Sequence, residues 1–336
     1  MNEKIQNIEI YQRLVDSIGN TIESARKRAL QAVNSELLKA NWEIGKYIVE
    51  YEQHGNEKAE YGSSLLTNLS KDLKLRFGKG FSKSNIYLMR QFYLKYQIFQ
   101  SVTGKLTWTH YADLLSVSDD IARGFYEKQA ANDNWSVREL KRQISSSLFE
   151  RLALSQDKSG VLKLSEKGLV VSEPKDIIKD PYVLEFLQIP EEFRMNESKL
   201  EQKIIDNLQT FLLELGKGFS FVGRQYRITL DNDHYYVDLV FYHRILKCFV
   251  LIDLKTKHVK HQDIGQMNMY LNYFRSEENT EGDNPPIGIV LGADKNDILV
   301  EYAIGGISNN IFVSKYQIYL PDRKILEQKV KEIMTE

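Results

Sequence analysis

The sequence predicts two domains of different class: a mostly helical first half, and an α/β second half whose sheet is covered by helices on both faces. Three observations carry this. The chain has 336 residues, more than the ~100–200 usual for one domain. No proline precedes Pro174. The spacing of apolar residues also changes from helical to strand-like beyond Leu200. Apolar residues at 42% and charged residues at 27% argue for a globular chain rather than a disordered one. Lys and Arg total 45 against 46 Asp and Glu, a net charge of −1, which excludes a uniformly basic surface but not a basic face. No apolar run is long enough to cross a membrane. The N-terminus lacks the apolar core and small-residue cleavage site of a secretory signal, so a cytoplasmic protein is expected. Cys248 is the single cysteine, which removes intrachain disulfides and cysteine-built zinc sites.

Residues 1–155 read as helical. Helical spacing runs through Ile5, Ile8, Leu14 and Ile18, and again through Leu37, Leu38, Trp42, Ile44 and Ile48. Further helices are expected over 62–77, 82–99, 119–131 and 135–154, the last opened by the capping box Ser136-Val-Arg-Glu139. Residues 156–197 mix turn residues with short apolar runs and read as a connector, mostly without regular structure. From 198 to 336 the pattern is α/β. Leu200, Ile204, Ile205, Leu208, Phe211, Leu212 and Leu215 form one helical stripe closed by Gly216 and Gly218. Strands follow over 219–229, 235–242 and 248–255, with a turn at Asp231-Asn-Asp-His234. Then come a helix over 262–275, a strand over 287–291, a helix over 296–303, a strand over 316–320 and a closing helix from Asp322.

The chemistry concentrates in two of these strands. In Val250-Leu-Ile-Asp-Leu-Lys255, alternation puts Asp253 and Lys255 on one face and Leu254 on the other. Charges at the end of an oily strand are costly unless paired or metal-bound. The strand before it repeats the anomaly with Asp238 among Tyr235, Val237, Leu239 and Phe241. If the two strands are neighbours, the acids converge on an oxygen-rich site that suits Mg²⁺ or Mn²⁺. Lys255 beside it would hold or activate a water, or steady a phosphate. Glu201 borders the buried stripe of the preceding helix, although Ser198-x-x-Glu201 also reads as a capping box. Gln266 lies on the helix after the lysine strand.

The order Glu201, Asp238, Asp253-x-Lys255, Gln266 on α-β-β-α resembles the PD-(D/E)xK nuclease superfamily, with Asp where Glu is commoner in the third position. FLLELGKGFSFVGRQYRI, YYVDLVFYHR, CFVLIDLK and DIGQMNMYLNYF resemble the YhcG family of such nucleases. GFSKSNIYLMRQFY, WTHYADLL, WSVRELKRQI and DPYVLEFL extend the likeness through the first half. The resemblance implies a helical DNA-binding domain (1–155), joined by the connector to a restriction-endonuclease-like domain (198–336) with a central mixed sheet flanked by helices. It further implies a Mg²⁺-dependent deoxyribonuclease that leaves 5′-phosphate and 3′-hydroxyl ends, with suspected links to DNA recombination or defence against foreign DNA. Asp238, Asp253 and the Leu254 carbonyl would hold the metal, and Glu201 would bind it through water or support a second ion. Lys255 would position the attacking water, with Gln266 orienting the strand-end network. Cutting both strands with one site per chain would favour a homodimer.

DNA contacts are expected at a local basic patch. Over residues 71–105, Lys71, Lys74, Arg76, Lys79, Lys83, Arg90, Lys95 and Lys105 face Asp72 alone. The turn Gly78-Lys-Gly80 between two helices resembles a helix-turn-helix, which would set Lys79, Lys83, Asn85, Tyr87 and Arg90 near a groove. Tyr87, Phe92, Tyr93 and Tyr96 read as core. Lys257 and Lys260 follow the lysine strand and would meet the DNA backbone. His234, His243, His258 and His261 read as phosphate-contacting or surface residues. Two competing readings are a DNA-binding or assembly module that keeps a nuclease fold without turnover, and a nuclease acting on RNA.

Overall fold

The computed structural model describes residues 2–54, 59–99, 102–154, 156–190, 196–307 and 310–335. The chain forms two compact units, the first of Met1–Arg123 with Ala130–Leu140, the second of Gly124–Gln129 with Lys141–Glu336. In the first, the long helix α1 (Asn2–His54) precedes α2 (Ala59–Phe77), α3 (Lys83–Lys95) and α4 (Trp108–Leu114), and α5 (Asp120–Asp133) opens in it. α1 packs on α3, and a glycine permits the approach: a Cβ at Gly45 would lie 2.1 Å from the Met89 carbonyl oxygen. Trp42 stacks edge-on against Tyr93 and donates to the Tyr96 carbonyl at 2.6 Å. Phe92, Tyr96 and Tyr111 are buried, as the core reading of the first two requires. Tyr87, expected in that core, is 49% exposed.

The helix α6 (Val137–Ser145) spans the division, and the second unit holds α7 (Leu148–Ala153), α8 (Lys158–Lys167), β1 (Tyr182–Val183), α9 (Glu197–Asp206), α10 (Leu208–Leu215), β2 (Phe219–Leu230), β3 (Asp233–His243), β4 (Cys248–His258), α11 (His261–Tyr273), β5 (Ile287–Asp294), α12 (Asp297–Ile304), β6 (Asn310–Gln317) and α13 (Arg323–Thr335). Its six-stranded sheet runs in the order β1-β6-β5-β4-β3-β2. β1, β6, β5 and β4 are mutually parallel, and β3 and β2 add as antiparallel neighbours, so the sheet is mixed. One face buries Leu239, Ile252 and Leu254 with Leu200, Ile204 and Phe211 of α9 and α10. The other buries Val240, Leu251 and Val290 with Ile264, Met267 and Tyr270 of α11. Both faces are therefore covered, as continuous apolar strands demand.

Local signals explain most boundaries. Ser136 and Glu139 exchange the expected capping bonds before α6. The β2–β3 hairpin turns on Asp231 and Asn232, both at positive φ (46° and 70°), which Asn and Asp tolerate. Several expectations need correction. The 135–154 helix is interrupted, because Ser147 sits at φ 51° between α6 and α7. Asn207 likewise divides the 200–215 stripe into α9 and α10. The 156–197 segment is more ordered than a connector: it supplies α8, short 3-10 turns, and β1 on the edge of the sheet, while 191–195 lie outside the described residues. The last strand falls at Asn310–Gln317 instead of 316–320.

A buried ion cluster ties 142–185 to the sheet domain. Glu214 is wholly buried; it accepts from Arg151 at 2.7 Å, from Arg142 at 3.3 Å and from the Val183 N–H at 3.0 Å. Arg142 also pairs with Glu185 at 3.0 Å, and Lys179 donates to the Glu214 carbonyl. Burial alone would raise the Glu214 carboxyl, but Arg151, Lys179 and Arg142 override it and hold it down at about 2. His243 is another internal fastener and not a surface or phosphate-contacting group: it is fully buried, and burial lowers its pKa. Its Nδ1 accepts from the Leu246 N–H, so the Nε2–H donates to the Lys217 carbonyl, each at 3.1 Å.

Removing one partner of a buried pair strands the other, at a cost of ~3–5 kcal/mol. Arg151→Met is therefore expected to lower urea-unfolding stability by that order. The depressed Glu214 contributes stability fully above its unfolded value, and that contribution is lost as pH falls toward about 2. Acid titration of the Arg151→Met and native chains should converge at low pH.

Candidate active site

β3 and β4 pair from Leu239↔Ile252 to His243↔Cys248. Continuing that register sets Asp238 opposite Asp253, one position past the last pair. The ladder stops there, and the Leu254 N–H donates to Asp238 Oδ2 at 2.7 Å in place of a backbone carbonyl. The N–H and C=O of one strand residue face the same neighbour, so the Leu254 carbonyl is presented to this notch too. Asp253 is 3% exposed. Lys255, half-buried, brings Nζ within 2.7 Å of Asp253 Oδ2 and is its ion partner. Asp263, in the first turn of α11, lies 4.0 Å from Lys255 Nζ.

Glu201 does not cap its helix. The N-cap of α9 is Asn196, whose side chain accepts from the Lys199 N–H at 3.0 Å. Glu201 is instead buried, and Gln225 Nε2 donates to it at 2.6 Å and to Asp238 Oδ1 at 3.1 Å. Gln225 stands across from Asp238 on β2, between the pairs Arg224↔Leu239 and Tyr226↔Val237. Its φ of 46° is left-handed, which costs a residue with a Cβ roughly 1–2 kcal/mol. The sequence reading missed Gln225; Gly223 at the β2 bulge was the available hint of irregular backbone there.

The notch thus gathers Glu201, Asp238, Asp253, Leu254 and Lys255. Gln266 is one link removed: it donates to the Tyr270 hydroxyl, which donates to the Tyr236 carbonyl on β3 at 3.1 Å. Tyr270, read from sequence as packing alone, is the buried intermediary. Lys257, near the end of β4, and Lys260, just past it, are exposed. His258 is exposed and pairs with Asp294 at 3.0 Å.

Electrostatics and donor chemistry decide what the notch could hold. Burial first, then the Asp238 charge, push Asp253 up to about 7 against the pull of Lys255. Burial likewise raises Asp238 and Glu201 above the usual carboxylate range. Burial would lower Lys255, but Asp253, Asp263 and Glu197 outweigh it and keep the ammonium protonated. Among the described residues, no three His, Cys, Asp or Glu side chains form a metal-holding group by themselves. The available set is two carboxylates and a carbonyl, hard oxygen donors that leave room for solvent ligands, as Mg²⁺ and Mn²⁺ require.

In the first unit, Gly78 at φ 89° and the 3-10 turn Lys79–Phe81 separate α2 from α3, whose N-cap is Ser82. Lys71, Lys74, Arg76, Lys79 and Lys83 are exposed. Two residues expected at a groove are committed to the fold. Arg90 makes a forked pair with Glu52 of α1 at 2.8 and 3.0 Å. Asn85 donates to the Gly80 carbonyl and accepts from Trp108. Lys95 is likewise paired, with Asp120 at 3.2 Å.

Residues 175–331 match the family described as the YhcG PDDEXK nuclease domain, and residues 17–151 the DUF1016 N-terminal domain. The chain is 40% identical over 352 residues to the Escherichia coli (strain K12) protein named "Putative nuclease YhcG", covering 95% of this chain and 93% of that one. Among solved structures it is similar to a repair endonuclease from Pyrococcus abyssi (14% identity, TM-score 0.27) and to EndoMS in apo form (14% identity, TM-score 0.26). Those two matches cover 40% of this chain and about half of each solved chain (50% and 49%).

The folded state holds the Asp253 proton more tightly than the unfolded chain does. Its contribution to stability therefore falls as pH rises from 3.8 to about 7, and a divalent ion competes for the same oxygens. In thermal melts, Mn²⁺ should raise the midpoint over EDTA more at pH 8 than at pH 6. Asp253→Asn should raise the metal-free midpoint at pH 8 and abolish the Mn²⁺ shift.

Proposed function

This chain belongs to the YhcG family of PD-(D/E)xK nucleases, and from that premise we propose that it is a divalent-metal-dependent DNA endonuclease. The observation that carries the reading is the meeting of Asp238, Asp253 and Lys255 where the β3–β4 ladder ends. Asp238, Asp253 and the Leu254 carbonyl would hold Mg²⁺ or Mn²⁺, with Glu201 acting through water or a second ion. When bound, such an ion acidifies water and offsets charge building on the scissile phosphate.

The remaining roles belong to the chain. Lys255 is held protonated by its acid neighbours, so it donates hydrogen bonds to the attacking water and to a phosphate oxygen instead of taking a proton. Gln225 fixes the spacing between Glu201 and Asp238. Gln266 acts at a distance, holding Tyr270 against the strand that carries Asp238. The exposed Lys79, Lys83, Lys257 and Lys260 neutralise backbone phosphates, while Asn85 and Arg90, half-buried, already bond to Gly80, Trp108 and Glu52. The product ends would be 5′-phosphate and 3′-hydroxyl, and a role in recombination or in defence against foreign DNA belongs to the same reading.

Purified protein with Mg²⁺ or Mn²⁺ should nick or cut DNA across linear, branched and single-stranded substrates. Asp253→Asn and Lys255→Met should each slow cleavage ~10²–10³-fold while DNA still shifts in a gel. Full cleavage by both variants rejects the site; a gel shift with no cutting by the native chain supports a binding module instead. In the same binding assay, Lys79→Ala and Lys83→Ala should each reduce the salt-dependence slope by about one, with cleavage per bound complex retained.

A further inference from the structure

Past the notch, β2 and β3 run on together as a two-stranded ribbon. The β3–β4 ladder ends at Leu239↔Ile252, whereas β2 and β3 stay paired through Arg227↔Tyr236 and Thr229↔His234 to the turn at Asp231 and Asn232. Alternation gives the ribbon two faces. One holds Tyr226, Ile228, Tyr235 and Val237, which join the core with α11. The other presents Arg227, Thr229, His234 and Tyr236, all exposed. A sheet covered on one side commonly shows polar residues on the other, so exposure by itself assigns nothing.

Three observations do. The exposed face leads straight from the site, since Asp238, Tyr236 and His234 follow one another at the strand period of two, ~7 Å per step. Its first step sets an arginine opposite a tyrosine, the pair of side chains that holds a nucleic-acid strand by its phosphate and by its base. Tyr236 is 46% exposed, and no ion pair engages Arg227 among the described residues. The acids of the ribbon lie farther out, Asp231 in the turn and Asp233 opposite Leu230 at the end of the pairing. That first step is also rigid. The Tyr236 carbonyl accepts from the buried Tyr270 hydroxyl at 3.1 Å, which ties the strand to α11 while the Tyr236 ring stays outside.

We propose that this face carries the DNA strand onward from the scissile phosphate, with Arg227 on the next phosphate along and the Tyr236 ring stacked on the base between them. A ring with two side-chain torsions, offered from a fixed strand, packs at little entropic cost, and every base presents a π-face to it. A base inside a duplex has both faces stacked already, so the nucleotide over Tyr236 is unpaired. The substrate class is therefore DNA with a single-stranded or unpaired nucleotide beside the cut, for which the cost of unstacking is least. The inference rests on the nuclease reading and adds to it which strand the site accepts.

The test uses the full chain carrying Asp253→Asn, so that DNA is bound without being cut. On single-stranded oligonucleotides, a further Tyr236→Ala should weaken binding about tenfold, and Tyr236→Phe should restore it. Arg227→Ala should lower the salt-dependence slope by about 0.7, the share of one single-strand phosphate. Both side chains are exposed, so thermal midpoints should match that of the parent. A strand with one 5-iodouracil beside the position cut by the native chain should photo-cross-link to Tyr236, read by mass spectrometry. Unchanged affinity and slope in these variants, or cross-links confined to other elements, would overturn the inference and leave the nuclease reading standing. A native chain that neither binds nor cuts DNA ends both. If Tyr236→Ala alters the assembly state with DNA affinity intact, the face belongs to a second copy of the chain and the inference falls.

Discussion

The structure of the second unit turns on the place where β3 and β4 stop pairing. A ladder that ran one residue further would set Asp238 and Asp253 side by side, two carboxylates in an apolar sheet with α11 above them. The strands part instead, and the freed Leu254 N–H is satisfied by an Asp238 oxygen. The acid thereby serves as a surrogate for the missing strand partner. This substitution keeps the backbone satisfied and holds both carboxyls at the sheet's core level, Asp253 buried and Asp238 half-buried. Everything else at the site is arranged around that opening: Lys255 from the same strand, Gln225 from β2, and Glu201 reached through Gln225.

Two groups of buried charge in this unit are treated in opposite ways. Around Glu214 each acid oxygen meets guanidinium or backbone N–H, and the carboxyl is held well below its ordinary value. That cluster is satisfied internally and leaves no donor for a ligand to use. At the notch the balance is incomplete. Asp253 is buried beside a second carboxyl, its pKa is driven up, and Gln225 is held in a left-handed backbone conformation where it reaches both Glu201 and Asp238. Incomplete compensation of this kind is what a site for a cation or phosphate would need.

Much of this was legible because it depends on alternation and order. Asp253 and Lys255 share a face since strands have a period of two. Asp238 falls opposite Asp253 because a hairpin joins neighbouring strands, and the apolar runs that bury the sheet on both sides are plain in the chain. What was not legible depends on backbone choices or on distant partners. Gln225 looks like any polar strand residue until its φ is known. Asn85 and Arg90 give no sign in the sequence of the bonds they make to Gly80, Trp108 and Glu52. Glu201 also read as a cap, and only the placement of Asn196 as N-cap removed that reading. β1 was hidden because two residues give no periodicity, and its place is set by pairing with β6.

Lys255 completes the argument about how the notch remains stable before any ligand arrives. Its ammonium lies against Asp253, with Asp263 at 4.0 Å and the Glu197 charge nearby. It is the resident counter-ion of an acidic pocket. Burial alone would favour losing its proton, as a catalytic base requires; the three acids reverse that preference. A cation entering between Asp238 and Asp253 would weaken the hold of Asp253 on Lys255, while an entering phosphate would offer the ammonium a new anionic partner. The same side chain would therefore neutralise the acids by itself and, on the proposed reading, orient a phosphate without changing its charge. A neutral lysine could do neither, which is why the acids around it matter as much as the amine itself.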